Sequence, residues 1–266
     1  MTVGLLQQKN LLNQLSQSDL ITLRDKVEKS LQRLHKSHAN ENLVVNSSKE
    51  TWMDTLSRDG ARIEIQALQL ATYKTARLLN DLTLTHSEKY SLHEKQLRQV
   101  VRSKFFNGRQ LADGYLNETQ DFTIRPNIFI AYYVYPDLLS TGEWEAVFDN
   151  ALQHLWLSWG GLATLDISHP DFKQSHSGEG SASYHNGDSW YWINNLAALC
   201  MLRLNRSKYK EYIYKIIEAS VHDMLYSGFI GHCSEISSAK ERSSFGCWAQ
   251  AWSAATLVEL LHEVHK

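Results

Sequence analysis

The sequence predicts an all-α fold, and three observations carry that expectation. Only three prolines occur in 266 residues, and proline is the residue that helix interiors tolerate least. Apolar residues recur at spacings of three and four along most of the chain, the period of a helix with one buried face. Strand-type alternation is confined to a few residues near Phe122 to Ile124.

The elements follow in order. Asp19 to His38 places Leu20, Leu23, Val27, Leu31 and Leu34 on one stripe. Arg62 to Leu82 repeats the pattern with Ile63, Ala67, Leu70, Ala71, Ala76 and Leu79. Ser87 to Phe106 reads as a third helix, with Ser87 and Tyr90 near its start. The spacing predicts further helices at Asn127 to Tyr135, Gly142 to Trp156, Trp190 to Leu204, Tyr209 to Ser227 and Cys247 to His265. Helices this apolar, joined by short and long links in alternation, form a bundle or a helical toroid.

The long links stand out. They are HANENLVVNSSKETWMDTLSRDG, NGRQLADGYLNETQDFTIRP, GGLATLDISHPDFKQSHSGEGSASYHNGD and GFIGHCSEISSAKERSSFG. Connections of about twenty residues are uncommon in compact domains unless they carry function. Recurring at roughly every second helix, they would share one rim of a toroid. They also hold most of the acidic, His and Trp residues able to do chemistry.

Composition narrows the function classes. The formal charge is −2 and no Lys/Arg cluster exceeds what a solvated helix face shows, so a nucleic-acid surface is not expected. Cys200, Cys233 and Cys247 are odd in number and lack paired metal spacing, which reads as reduced thiols in a cytoplasmic protein. The start, MTVGLLQQKNLLNQL, lacks the basic and apolar regions of a signal peptide. No stretch reaches the ~18 apolar residues of a membrane span. No CxxC, HExxH, GxSxG, GxGxxG or GxxxxGK[ST] pattern occurs, so neither a metal nor a cofactor is expected. Eight tryptophans and twelve tyrosines suit a core, and those in loops also suit stacking on sugar rings.

Seven segments, read in order, resemble the glucosidase domain of glycogen debranching enzymes, the amylo-α-1,6-glucosidases. They are TWMDT (51–55), GARIEIQAL (60–68), IRPNIFIAY (124–132), GLATLDISHPDFK (161–173), YHNGDSWYWINN (184–195), SEI (234–236) and FGCWAQAWSAATLVELL (245–261). Each alone is weak, and the ordered set is specific. The resemblance implies an (α/α)6 toroid of the glucoamylase, six-hairpin type. It also implies hydrolysis, with inversion, of terminal α-linked glucose such as the α-1,6 stubs of glycogen or limit dextrin. Inversion needs a carboxylic acid and a carboxylate about 6.5–9.5 Å apart. Carried onto this chain, these are Asp54 as general acid and Glu235 as general base.

The residues themselves agree in part. Asp54 follows Trp52 and Met53, whose bulk would desolvate a carboxyl and keep it protonated; a turn carboxylate is the alternative. Glu235 lies in GHCSEISS, where small neighbours admit a water; a solvated loop charge is the alternative. Glu64, between two isoleucines, is costly to bury unless paired or bound. It is a candidate for sugar hydroxyls, or for an ion pair with Arg62 or Arg58. Arg125 and Asn127 flank Pro126 and offer a fork and an amide, for binding or for pinning a loop. His185, Trp190 and Trp192 offer a donor and stacking faces, alongside Trp52. Asp188 or Ser189 is placed to cap the following helix. On the last helix, Gln250 is a binding candidate and Trp252 a core residue.

The departure from the family lies in residues 1–50, which lack the Trp-Gly-Arg-Asp and Asp-Ala-x-x-Trp-Phe motifs that the resemblance leads one to expect. Eight or nine helices are legible where the toroid has twelve. The expectation is therefore a single domain, residues 1–266, forming the C-terminal part of the barrel. Three readings stay open: a piece of an active enzyme, a chain completed by a partner that supplies the N-terminal helices, and a non-catalytic glucan-binding or partner-subunit relative. A glycosidase for another α-glucoside is a further alternative.

Overall fold

The computed structural model describes residues 12–40, 42–85, 87–180 and 182–266. The reading of MTVGLLQQKN as free of signal-peptide character falls on residues outside that set. Nine α-helices occur among the described residues: α1 Gln17–His38, α2 Ile63–Leu82, α3 Lys89–Phe105, α4 Asn127–Val134, α5 Thr141–Leu155, α6 Ala182–Asn186, α7 Tyr191–Asn205, α8 Lys210–His222 and α9 Ala251–Val264. Every helix expected from periodicity is present. The five-residue α6 is the addition, and it is too short for a 3.6-residue repeat to reveal.

Two helices begin with reciprocal caps. The Ser16 hydroxyl accepts from the Asp19 amide while the Ser16 amide donates to Asp19, and Ser140 and Glu143 repeat the device at α5. These satisfy amides that the first turn leaves without partners. Helix α7 starts differently from expectation. Its N-cap is Trp190, with no side-chain cap, because Asp188 is taken by His176 and Ser183 and the Ser189 hydroxyl pairs with Asn194.

Helices α2, α4, α7 and α9 pack one after another, and α1, α3, α5 and α8 flank them. The chain thus runs in four helical hairpins. Burial explains which helices lie inside. All eleven residues from Tyr191 to Met201 of α7 are buried, the mark of a helix surrounded on every side. Helix α1 buries only Leu20 and Leu31, as a flanking helix should. Phe129, Tyr132, Trp144 and Phe148 close the core between α4 and α5, with ring centroids 4.7–6.0 Å apart.

Strands are short and belong to the rim. β1 Ala61–Arg62, β2 Gly114–Leu116 and β3 Thr119–Asp121 make one antiparallel sheet. The β2–β3 turn uses Asn117 and Glu118 at φ 48° and 62°, the left-handed pair that a two-residue hairpin needs. The alternation near Phe122 to Ile124 therefore marks the exit of a hairpin rather than a strand. A second sheet has the order β6-β5-β4, from Ser189–Trp190 (β4), Ile236–Ser237 (β5) and Ser244–Phe245 (β6). No helix among the described residues is long and apolar enough to cross a membrane.

Candidate active site

The rim is assembled by tying four loops to one another. In the Thr51–Gly60 loop, Met53 is fully buried. Arg58 Nη1 donates to Thr51 Oγ1 at 2.9 Å, and Trp52 Nε1 donates to Asn127 Oδ1 at 2.7 Å. Thr55 Oγ1 lies 2.7 Å from His185 Nδ1. Asp54 sits between these three anchors with its side chain exposed. The desolvation expected from Trp52 and Met53 is absent, because Met53 turns inward, Trp52 is only half-buried and the carboxylate stays in water.

Under this loop is a buried ionic network. Arg58, 4% exposed, donates to Glu64 at 2.6 Å and to both Asp113 oxygens at 2.8–2.9 Å. Arg62 reaches Asp113 at 3.3 Å and Asp121 at 2.8 Å, and Asn127 Nδ2 donates to Asp113 at 2.7 Å. Burial alone would lower the Arg58 pKa; Asp113 and then Glu64 outweigh it and hold the group firmly charged. Two binding candidates take the other of their two readings here. Glu64 is in an ion pair with Arg58, not open to a sugar hydroxyl, because a buried carboxylate needs its compensating charge. Asn127 is fully buried, with its amide spent on Trp52 and Asp113.

Arg125 likewise pins loops rather than projecting to the rim. Its guanidinium donates to the Thr164 and His185 carbonyls at 3.0 and 2.7 Å and to Asn186 Oδ1 at 2.8 Å. His185 is fully buried and stacked on Trp190, with centroids 5.1 Å apart and planes within 8°. Its pKa is pulled down to about 3 by burial, then by Arg125 and Arg58, so it is neutral. Trp190 and Trp192 are buried, and the half-buried Trp52 meets His185, Trp190 and Trp192 edge-on at 5.0–5.5 Å. Trp52 is therefore the member of this aromatic group that faces the opening. His185 Nε2 and Trp192 Nε1 are buried without a partner. Trp252, expected in the core, is 57% exposed.

Glu235 is placed by the second sheet. It precedes β5, and its backbone bonds Cys247 O and the Tyr191 amide. The half-buried carboxylate accepts from the Cys247 amide at 2.8 Å and from Gln250 Nε2 at 3.3 Å. Gln250 is fixed in turn by capping α9 through Ser253. Gly246, at φ 73°, makes the fit possible: a Cβ there would lie 2.3 Å from Glu235 Oε2. Tyr184 packs on His185 and Trp190, with ring centroids 4.8 Å apart in each case. Burial pushes its phenol pKa up, followed by the charge and hydrogen bonding of Glu235, then the charges of Glu179 and Asp54. The charges of Glu235 and Asp54, distant in sequence, are thus both felt at this phenol.

Sequence reasoning missed Asp113, Tyr184 and Glu179. Tyr184 lies inside a quoted motif, overshadowed by its His and Trp neighbours. Asp113, in LADG, carries no local signal, because its meaning comes from arginines 51 and 55 positions earlier.

A family model described as amylo-alpha-1,6-glucosidase matches residues 10–259. Comparison with curated proteins gives no match. Among solved structures, a protein titled "Sialidase" is similar with TM-score 0.65 and 15% identity, over 90% of this chain and 23% of that one. The GH63 mannosylglycerate hydrolase of Thermus thermophilus, solved in complex with glucose, is similar with TM-score 0.56 and 12% identity, over 77% of this chain and 48% of that one. An uncharacterized conserved protein of the same organism gives TM-score 0.56 and 10% identity, over 77% and 47%. The chain spans less than half the length of each. These likenesses show the helical-hairpin fold of the six-hairpin glycosidases, here with four hairpins described. With 250 of its residues matched, the chain belongs to the amylo-alpha-1,6-glucosidase family.

Proposed function

We propose that this chain carries the acid and base of an inverting α-glucosidase acting on terminal α-linked glucose, such as the α-1,6 stubs of glycogen or limit dextrin. The observation that carries the reading is that the Asp54 loop, through Thr55 on His185, and the Glu235 segment, through its carbonyl on the Tyr191 amide, are both tied to residues 184–192. Asp54 protonates the glycosidic oxygen as the C–O bond breaks. Glu235 takes a proton from a water that attacks the anomeric carbon from the opposite face, so glucose leaves as the β-anomer. Two donors hold the Glu235 carboxylate in one orientation, as a base that must aim a water requires. Asp54 has freedom that Glu235 lacks, and the substrate itself covers it on binding. Trp52 offers its ring to the sugar, and Gln250 acts through Glu235.

The reading extends to a single domain over residues 1–266 and to a cytoplasmic role in glycogen metabolism, supported by three unpaired cysteines among the described residues. It also includes a partner segment that supplies further helices, supported by the chain's share of its structural neighbours. A second reading, glucan binding without hydrolysis, is favoured by the exposure of Asp54.

Glucose release from limit dextrin and from panose, with the anomer read by NMR, tests both. β-Glucose from the unaltered chain, abolished in Glu235→Gln and Asp54→Asn without loss of helix content, is expected. Turnover that survives either substitution refutes the assignment, and a folded chain that binds glucan without turnover selects the second reading.

A further inference from the structure

Beside the segment that carries Glu235 lies a cavity of about 250 Å³, bordered by its neighbour Ser234. Phe229, Phe245 and Trp248 form its walls, and Ser227, Ser234 and Ser244 supply hydroxyls. Gly228 opens it: a Cβ there would come within 2.6 Å of both Ser234 Oγ and Asp223 Oδ1. The one carboxylate beneath, Asp223, is fully engaged, accepting from the Ser234 amide and from the Ser244 hydroxyl.

The aromatic walls are not there to fill a core. Trp248 is 70% exposed and Phe229 50%. Phe229 rests one face on His232, with centroids 4.9 Å apart, and its ring stands 5.7 Å from Trp248 at 34°. The Trp248 indole thus neighbours Phe229 while staying largely in solvent. Keeping so large a ring in water forgoes the burial that usually stabilises it.

The lining chooses the ligand. No charged side chain borders the cavity, which argues against an ionic ligand. Aromatic faces beside hydroxyls match a molecule that is apolar on its faces and polar around its edge, which describes a neutral pyranose. The volume falls just below the range of about 300–1,000 Å³ typical of drug-sized ligands and suits one sugar ring of a chain that continues into solvent. The position agrees: Ser234 precedes Glu235, and Trp248 follows the cysteine whose amide holds the Glu235 carboxylate.

We infer that the Phe229–Trp248 cavity is a second binding site for a glucosyl unit of an α-glucan, holding the polymer beside the rim. The inference deepens the proposed function in its choice of sugar, but its test does not need turnover.

Maltoheptaose binding is measured by titration calorimetry on the full chain carrying Asp54→Asn, which leaves the cavity untouched and prevents consumption of the ligand. Adding Trp248→Ala, and separately Phe229→Ala, is expected to weaken binding about tenfold with an unchanged circular dichroism spectrum. Absence of binding in the Asp54→Asn chain overturns the inference. So does binding that neither aromatic substitution alters. Concentration-dependent self-association abolished by Trp248→Ala, without maltoheptaose binding, assigns the face to protein contact and equally overturns it. Failure of glucose release by the unaltered chain is read separately and bears on the catalytic reading alone.

Discussion

Asp113→Asn is the substitution whose cost the structure specifies most fully. The Asp113 carboxylate is 3% exposed and accepts from Arg58 at 2.8 Å, from Arg62 at 3.3 Å and from Asn127 at 2.7 Å. The asparagine preserves shape and removes one negative charge. Arg58 and Arg62 would then share two carboxylates, Glu64 and Asp121, of which Asp121 is 39% exposed. Each arginine keeps one carboxylate, so the cost is the loss of the Arg58 and Arg62 charge-assisted hydrogen bonds to Asp113, about 1.5–2.5 kcal/mol apiece or roughly 3–5 kcal/mol together. For a chain of this size each kcal/mol lowers Tm by roughly 2–4 °C, so a fall of roughly 6–20 °C is expected. Lys74–Asp137 provides the control. Its 2.6 Å separation matches the shortest bond of the network, yet its side chains are 50% and 56% exposed. Lys74→Met should therefore change stability by less than about 1 kcal/mol. Thermal melts followed by far-ultraviolet circular dichroism measure both. Similar small shifts in the two variants would refute the claim that burial, rather than separation, sets the worth of these pairs.

Two further predictions concern the rim. His185 has its folded pKa depressed to about 3, against about 6.5 in the unfolded chain. Its neutral form therefore contributes stability that is complete above pH 6.5 and is lost as pH falls from there toward 3, at about 1.4 kcal/mol per unit. Urea unfolding at stepped pH should show this acid slope, and His185→Gln should flatten it; an unchanged slope in the variant would assign acid sensitivity elsewhere. Gly246→Ala places a methyl 2.3 Å from Glu235 Oε2 at φ 73°, a conformation that costs a non-glycine residue on the order of 1 kcal/mol. It should cut glucose release by more than tenfold while lowering Tm by only a few degrees, and activity equal to the parent would show that Glu235 does not need this fit.

The helices were legible because their signal is local. Leu20 to Leu34 and Ile63 to Leu79 repeat every three or four residues, and both form helices with those residues buried or half-buried. The rim was legible only as to which loops form it. Glu64, Arg125 and Asn127 were singled out as binding candidates, but their partners decide what polar work they do. For Glu64 the partner is Arg58, six residues away. For Arg125 the carbonyls lie 39 and 60 positions on, and for Asn127 the indole is 75 positions back. A sequence shows that a buried charge must be compensated; it does not show from which loop. The same limit explains Trp252. An indole at helical spacing reads as core, and only the assembled neighbours reveal that no helix among the described residues covers it.

The two carboxylates differ in a way that bears on how the rim could work. Glu235 is enclosed by glycine, held by an amide and braced by a capping glutamine. Asp54 has its flanking residues anchored at Thr51, Trp52 and Thr55 while its own side chain stays in solvent. Anchoring the backbone fixes where the carboxyl begins, and leaving the side chain free lets it follow the leaving oxygen of glucosides that differ beyond the terminal sugar. A water-activating base has no such freedom to spare, since the attacked carbon and the water must stay in line. Under the proposed roles the asymmetry of the bracing matches that of the reaction: the braced carboxylate suits the invariant half, and the exposed one suits the half that varies with the substrate.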